Sequence, residues 1–277
     1  MESLGDDIMN QFNASKIRQA ILDMAFAGST VHIGCAFSIV ELLALLYRKH
    51  LRLDPHNPDS AERDYLVLSK GHGVMAQYAC LHELGWLNDA DLAHYFGDGT
   101  RLKGLADAHI PGVEATCGSL GHGLSVGAGL ALGAKLRKSD QNCYALVGDG
   151  ELNEGAIWEA VMFAAHFKLD NLIVIVDKNG FQAMGSTDEV MQLGSIEAKF
   201  QAFGFDAVTI DGHDEQAVDQ AYADMKSRRN GKPKAIVAHT VKGKGVSFME
   251  NDNIWHYTRL TPENHAKASQ EVALTRN

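Results

Sequence analysis

Hydrophobic positions along the chain switch between a helical rhythm and short unbroken runs. From Ala14 to Ala27, Ile17, Ile21, Met24 and Ala25 share one helical face, and Gly28 stands where a C-cap is expected. Ser38-Ile39-Val40-Glu41 has the S-x-x-E form of a capping box before the apolar run Leu42 to Tyr47. Tyr65 to Leu68 predicts a short buried strand, followed by a helix from about His72 to Leu84. Gly121 to Arg137 is rich in Gly, Ala and Leu and predicts a buried helix whose small side chains permit close packing. Tyr144 to Val147 predicts a strand and Glu154 to Phe167 a helix. Leu172 to Val176 is apolar and β-branched with no alternation, as expected of a strand covered on both faces. Ala207 to Ile210 and Ala235 to Ala238 predict two further strands, with a helix between them around Glu215 to Arg228. Strands alternating with helices imply an α/β fold: a parallel sheet with helices on both faces. No internal repeat or low-complexity tract interrupts the chain, so one domain is expected over residues 1–277, with 241–277 a Lys/Gly-rich loop and a polar helical tail.

Composition narrows the partners. Apolar residues make up 45% and charged residues 22%, the balance of an ordinary globular protein, and the formal net charge is −10. That field repels nucleic acid and anionic membrane, so neither is an expected partner, and a phosphorylated ligand would need a local positive pocket. Lys242 and Lys244 could offset such a charge. Cys35, Cys80, Cys117 and Cys143 form no C-x-x-C pair and read as reduced thiols. The start, MESLGDDIMNQF, lacks the apolar stretch of a signal peptide, and no run approaches the ~20 apolar residues of a membrane span. A cytoplasmic location is the expectation. No H-E-x-x-H or Cys/His spacing points to zinc.

The strongest chemical signal runs from Gly148 to Phe181. One strand ends in Gly148-Asp149-Gly150-Glu151, a helix follows, and the next strand ends in Asp177-Lys178-Asn179-Gly180. In a parallel βαβ unit both strand ends reach the same sheet edge, where ligands bind, so Asp149 and Asn179 are expected to meet. Their hard oxygens, with a nearby backbone carbonyl, suit Mg²⁺ (Ca²⁺ or Mn²⁺ as alternatives) and leave positions for phosphate oxygens. Gly148 and Gly150 let the backbone approach an anion, and the helix starting near Glu154 adds N–H groups. Each motif alone is ordinary turn chemistry; the combination predicts a metal-bridged diphosphate site.

The segments GDGELNEGAIWEA and LIVIVDKNGFQ together resemble the thiamine-diphosphate signature, which opens with Gly-Asp-Gly and closes with an Asn about one βαβ unit later. The resemblance implies Asp149 and Asn179 as metal ligands with the carbonyl of Phe181, and Gly148, Gly150 and Glu151 beside the cofactor. Other segments resemble the transketolases. LSKGHG places His72 on the cofactor diphosphate. HIPGVEATCGSLGHGLSVGAGLALGAK places His109 on the donor hydroxyls and Gly118, Ser119 and Leu120 against the cofactor. STVHIGCAFS places His32 beside the reacting centre, and KGKGVSFMENDNIWH places His256 at the substrate channel. Glu154 and Glu159 match acidic residues at the family's subunit contact, and Glu154 is included among the catalytic candidates. Of 13 histidines, only these four are singled out, because four separate motifs converge on one site. Three departures fall mainly on the substrate side: Val31-His32-Ile33-Gly34 for Gly-His-Pro-Gly, Gly118-Ser119-Leu120-Gly121-His122-Gly123 for Gly-Pro-Leu-Gly-Gln-Gly, and Tyr257 for a small residue.

The resemblance runs from about Ala14 to His256 and covers only the diphosphate-binding domain. No residue matches the family's Glu that activates the cofactor through its pyrimidine ring. The expectation is therefore a partner chain carrying the pyrimidine domain, in an α2β2 heterotetramer. Together they would transfer a two-carbon ketol unit from a ketose phosphate to an aldose, with His32 and His256 moving protons. Two alternatives stand beside it. One is a component of another thiamine-diphosphate enzyme, of the deoxyxylulose-phosphate synthase or dehydrogenase kind. The other is a non-catalytic scaffold that binds the cofactor.

Overall fold

A computed structural model describes residues 12–274; the acidic start of the chain lies outside them. Helix α1 spans Ala14–Ala27, with Asn13 accepting the N–H groups of Ser15 and Lys16 as its N-cap. The short helices α2 (Ile33–Phe37) and α3 (Val40–Leu45) follow, and α3 continues into a π-helical turn, Leu46–His50. Strand β1 (Tyr65–Leu68) leads through a tight turn, Gly71–Gly73, into α4 (Val74–Glu83) and then α5 (Asp89–Ala93). Next come α6 (Gly123–Leu136), β2 (Cys143–Gly148), α7 (Gly155–His166) and β3 (Leu172–Lys178). The chain closes with α8 (Thr187–Val190), α9 (Ile196–Ala202), β4 (Asp206–Asp211), α10 (Glu215–Ser227), β5 (Lys234–His239) and α11 (Pro262–Leu274).

The five strands form one parallel sheet in the order β1-β2-β3-β5-β4. Successive side chains on a strand point to opposite faces. Residues Leu172 to Asp177 of β3 are nevertheless all buried, as are Cys143 to Val147 of β2, so helices cover both faces. β4 is the amphipathic edge.

The predicted strands and long helices are present, with ends shifted by a residue or two. Two local readings are corrected. Ser38 and Glu41 make no capping box: Ile39 is the N-cap of α3 and has no side-chain bond. Ser38 Oγ instead donates to Asp177, and Glu41 pairs with Arg18 and His213. Buried charge claims both side chains in place of local capping. Helix α6 is buried on one side only. Its Gly127, Ala128 and Ala131 pack inward, while Val126 and Leu136 are exposed. Gly28 does follow α1, but in right-handed backbone; a Cβ there would lie 2.7 Å from the Tyr95 carbonyl oxygen, so close packing is what demands glycine.

Candidate active site

Register builds the site. Gly148 pairs with Asp177 across β2 and β3, so Asp149 and Asn179 emerge just past adjacent strand ends. Asp149 is buried, and its two oxygens accept from Gly150 N (2.8 Å) and Gly180 N (2.6 Å). Asn179 donates through Nδ2 to Asp177 Oδ2 (2.7 Å) and accepts through Oδ1 from Phe181 N (3.1 Å). The amide is thus turned with its oxygen away from Asp177. No described residue donates to the Phe181 carbonyl. Burial, with the nearby charge of Asp177, pushes the Asp149 carboxyl up to about 7, although two N–H groups oppose the shift. A cation would relieve that strain, and the set of carboxylate, amide oxygen and free carbonyl fits a hard divalent ion with open positions.

Beneath this edge lies a buried charge network. The Lys70 ammonium contacts Asp177, Cys35 O (3.0 Å) and Ser38 Oγ (3.5 Å), and Thr240 donates to the other Asp177 oxygen. Burial works against the Asp177 anion, but Lys70 and these hydroxyls outweigh it and hold the carboxyl below its usual range. Glu151 is also buried. Its carboxylate accepts from Gly121 N (2.8 Å), Gly148 N (3.1 Å) and Ser69 Oγ, so it ties three loops together and has these partners within the chain.

A cavity of about 410 Å³ opens at this edge. It is lined by His32, His72, Gly118, Leu120, Gly148, Asp149, Gly150, Glu151, Glu154, Asn179, Phe181 and His256, among others. The ring centroids of His32, His72 and His256 lie 5.2–5.6 Å apart. His32 holds a left-handed backbone (φ 70°), a conformation costing about 1–3 kcal/mol in a non-glycine residue. Its N–H is anchored to the His256 carbonyl at 3.0 Å. Burial lowers His32 to about 4 and His256 to about 3, with Lys242 adding to both. His72 is driven well below its ordinary value, by burial first and Lys70 next. All three rings are therefore neutral at pH 7. Tyr257 stands at the mouth, its ring 5.6 Å from that of His32.

Some expectations land elsewhere. His109 is 91% exposed, paired with Asp107 at 2.6 Å, and outside the cavity lining. Ser119 is exposed and outside it too, and Glu159 lines a separate hollow between α6 and α7. At Gly150 the space a side chain would need is held by Gln182, 2.6 Å from an added Cβ, rather than left for an anion. Lys244 is half-exposed beside Glu250, whereas Lys242 is buried. Sequence spacing also misses Cys35, which brings its sulfur and ring nitrogens of His72 and His256 within 4.8 Å of one another. The Lys242 ammonium already sits on His256 Nδ1, which sets a positive charge against a cation there. The Lys70–Asp177 pair is missed as well; a charged residue inside LSKGHG and another just before Asn179 are the available signals.

The family model described as "Transketolase, thiamine diphosphate binding domain" matches residues 9–276. A relative from Phocaeicola vulgatus, one of the two subunits of an apulose-4-phosphate transketolase by its name, is 38% identical over 95% of this chain and 93% of its own. The 6-deoxy-6-sulfo-D-fructose transketolase subunit of Clostridium sp. is 40% identical over 95% of each. Among solved structures, transketolase from Campylobacter jejuni superposes with a TM-score of 0.87 at 30% identity, covering 97% of this chain. That from Leishmania mexicana gives 0.85 at 31%, covering 94%. The chain spans 43% and 40% of those two proteins' lengths.

Proposed function

The chain belongs to the transketolase family as its thiamine-diphosphate-binding portion, and from that premise we propose that it is the Mg²⁺- and cofactor-holding subunit of a two-chain transketolase. The observation that carries this reading is the pair Asp149 and Asn179 at adjacent strand ends, with Asp149 buried and short of positive charge. These two side chains and the Phe181 carbonyl would hold Mg²⁺. His72 and the backbone around Gly150 would face the diphosphate, and Gly118 and Leu120 would line the cofactor. Thiamine diphosphate supplies, when bound, a nucleophilic carbon for breaking and remaking the bond beside a ketose carbonyl.

The chain's own residues then have definite tasks. Neutral His32 and His256 would hydrogen-bond oxygens of the substrate and pass protons among them. Tyr257 would narrow the channel. His109 stands on an exposed loop, and its contact with donor hydroxyls would require a surface supplied by the partner or a movement of that loop.

A partner is supported by relatives named as subunits and by the exposed apolar surface of α6 and α7, where Val126, Met162 and Phe163 face outward. Residues 1–277 would form the diphosphate-binding domain, the partner would bring the pyrimidine domain, and Glu154 and Glu159 would lie at the contact in an α2β2 assembly. The donor class is a ketose bearing a terminal anion. One relative's name carries a phosphate and the other's a sulfo group, so identity near 40% does not select between them. The test is ketose-donor turnover with thiamine diphosphate and Mg²⁺, for the chain alone and mixed with a pyrimidine-domain partner. Activity confined to the mixture supports the reading; full activity of the lone chain overturns the split.

A further inference from the structure

We propose that Lys242 is a positioning residue that locks His256 in the Nε2–H tautomer, so that this ring gives a hydrogen bond into the cavity. The Lys242 ammonium lies 2.8 Å from His256 Nδ1. An ammonium has three donors and no acceptor, so the nitrogen facing it must present a lone pair. The Cys35 thiol approaches the same Nδ1 at 3.6 Å and adds a second, weaker donor. In a neutral imidazole the one proton is then on Nε2, because the bond made at one ring nitrogen fixes the state of the other. No described residue hydrogen-bonds Nε2, and His256 lines the cavity, which leaves that N–H for a ligand.

Lys242 is held for this task. It is 1% exposed and also donates to Asn253 Oδ1 at 2.7 Å, while Asn253 is itself tied to the Ala183 carbonyl at 3.2 Å. Among the described residues no carboxylate lies within ion-pair distance of it. A buried ammonium without a carboxylate is costly. Its interactions here are the imidazole, the amide and the Phe181 ring, 5.8 Å away. The atom facing His256 Nε2 must consequently be an acceptor, a phosphate or carbonyl oxygen, and His256 at rest is a donor rather than a base. The nature of that oxygen rests on the thiamine-diphosphate reading, whereas the tautomer follows from this chain's own atoms.

Nitrogen spectra of the cofactor-free, full-length chain separate the two. With ¹⁵N-labelled histidine at pH 7, long-range ¹H–¹⁵N correlations show which ring nitrogen carries the proton, and loss of a signal in His256→Gln assigns it. The expected result is a protonated Nε2 and a hydrogen-bonded, unprotonated Nδ1. Lys242→Arg retains that pattern. Lys242→Glu puts an acceptor against Nδ1 and draws a proton onto it. Should Lys242→Glu fail to fold, Lys242→Met serves: the Nδ1 resonance moves to that of a free lone pair. A proton on Nδ1 in the unaltered chain would mean a neutral amine accepting from the ring, and overturns the proposal. So does an Nδ1 signal unmoved by both the Glu and the Met substitutions.

Discussion

At the amino ends of the strands, Lys234 is fully buried and its ammonium meets three acceptors: Asp206 Oδ2 (3.3 Å), Asn230 Oδ1 (2.6 Å) and the Lys232 carbonyl (2.5 Å). Asp64, at the start of β1, accepts from the backbone N–H groups of Arg52 (3.0 Å) and Asn142 (2.8 Å), with the Arg52 guanidinium 3.9 Å away. At the carboxyl ends, Asp149 is just as deeply buried but receives only two backbone N–H groups and feels the like charge of Asp177. One sheet thus buries charge at both ends, balanced at one and unbalanced at the other. The unbalanced end carries the cavity, and the missing charge has the sign of a metal ion. Burying a charge without its partner is expensive, so the imbalance is itself a pointer to a ligand.

Four substitutions or conditions sharpen that contrast. Asp149→Asn removes the charge but keeps the shape. Its loss of Mg²⁺-dependent thiamine diphosphate affinity, measured by calorimetry, should exceed the roughly 10–100-fold that outer partners of a metal ligand command. Asp177→Asn frees the Asn179 amide to turn and should fall within that range of about 10–100-fold. It also leaves Lys70 buried without an anion, at a cost of about 3–5 kcal/mol in urea unfolding.

The third test is pH. In the cation-free chain Asp149 keeps its proton below about 7, so a metal ion must displace it. Affinity for Mg²⁺ with the diphosphate should fall as pH drops from 7 to 5, by about tenfold per pH unit where one proton is displaced. An equally steep slope in Asp149→Asn would remove this carboxyl as its cause. The smallest effect belongs to the balanced end. Asp206→Asn should cost only about 1 kcal/mol, since Lys234 keeps two other acceptors, and should leave cofactor affinity unchanged.

What the sequence makes legible follows the range of the interactions. Leu172 to Val176 reads as a strand because its neighbours alone dictate burial on both faces, and the Asp149–Asn179 meeting follows from βαβ topology. Four short helices escape such a reading: α2, α5, α8 and α9 have four to seven residues each, too few for a helical period to emerge. The Ser38–Glu41 pattern misleads because both side chains answer to distant charges: Asp177 lies 139 positions from Ser38 and His213 lies 172 from Glu41. Family likeness places His32, His72 and His256 together, and the structure gathers them. His109 comes from the same likeness and lies on an exposed loop, where intrachain packing gives it no cavity to enter.

The strand order has a further consequence during synthesis. β4 is hydrogen-bonded only to β5, and β5 is also the neighbour that completes β3. A nascent chain elongated through Asp211 therefore carries an edge strand with nothing to pair with, and a β3 still open along one side. Neither can close until Lys234–His239 has left the ribosome and slotted between them. The last strand made is the wedge that turns a half-built sheet into a finished one, and Asp206 and Asp211 at the two ends of β4 place charge on the exposed edge in the interval, which discourages pairing with other chains.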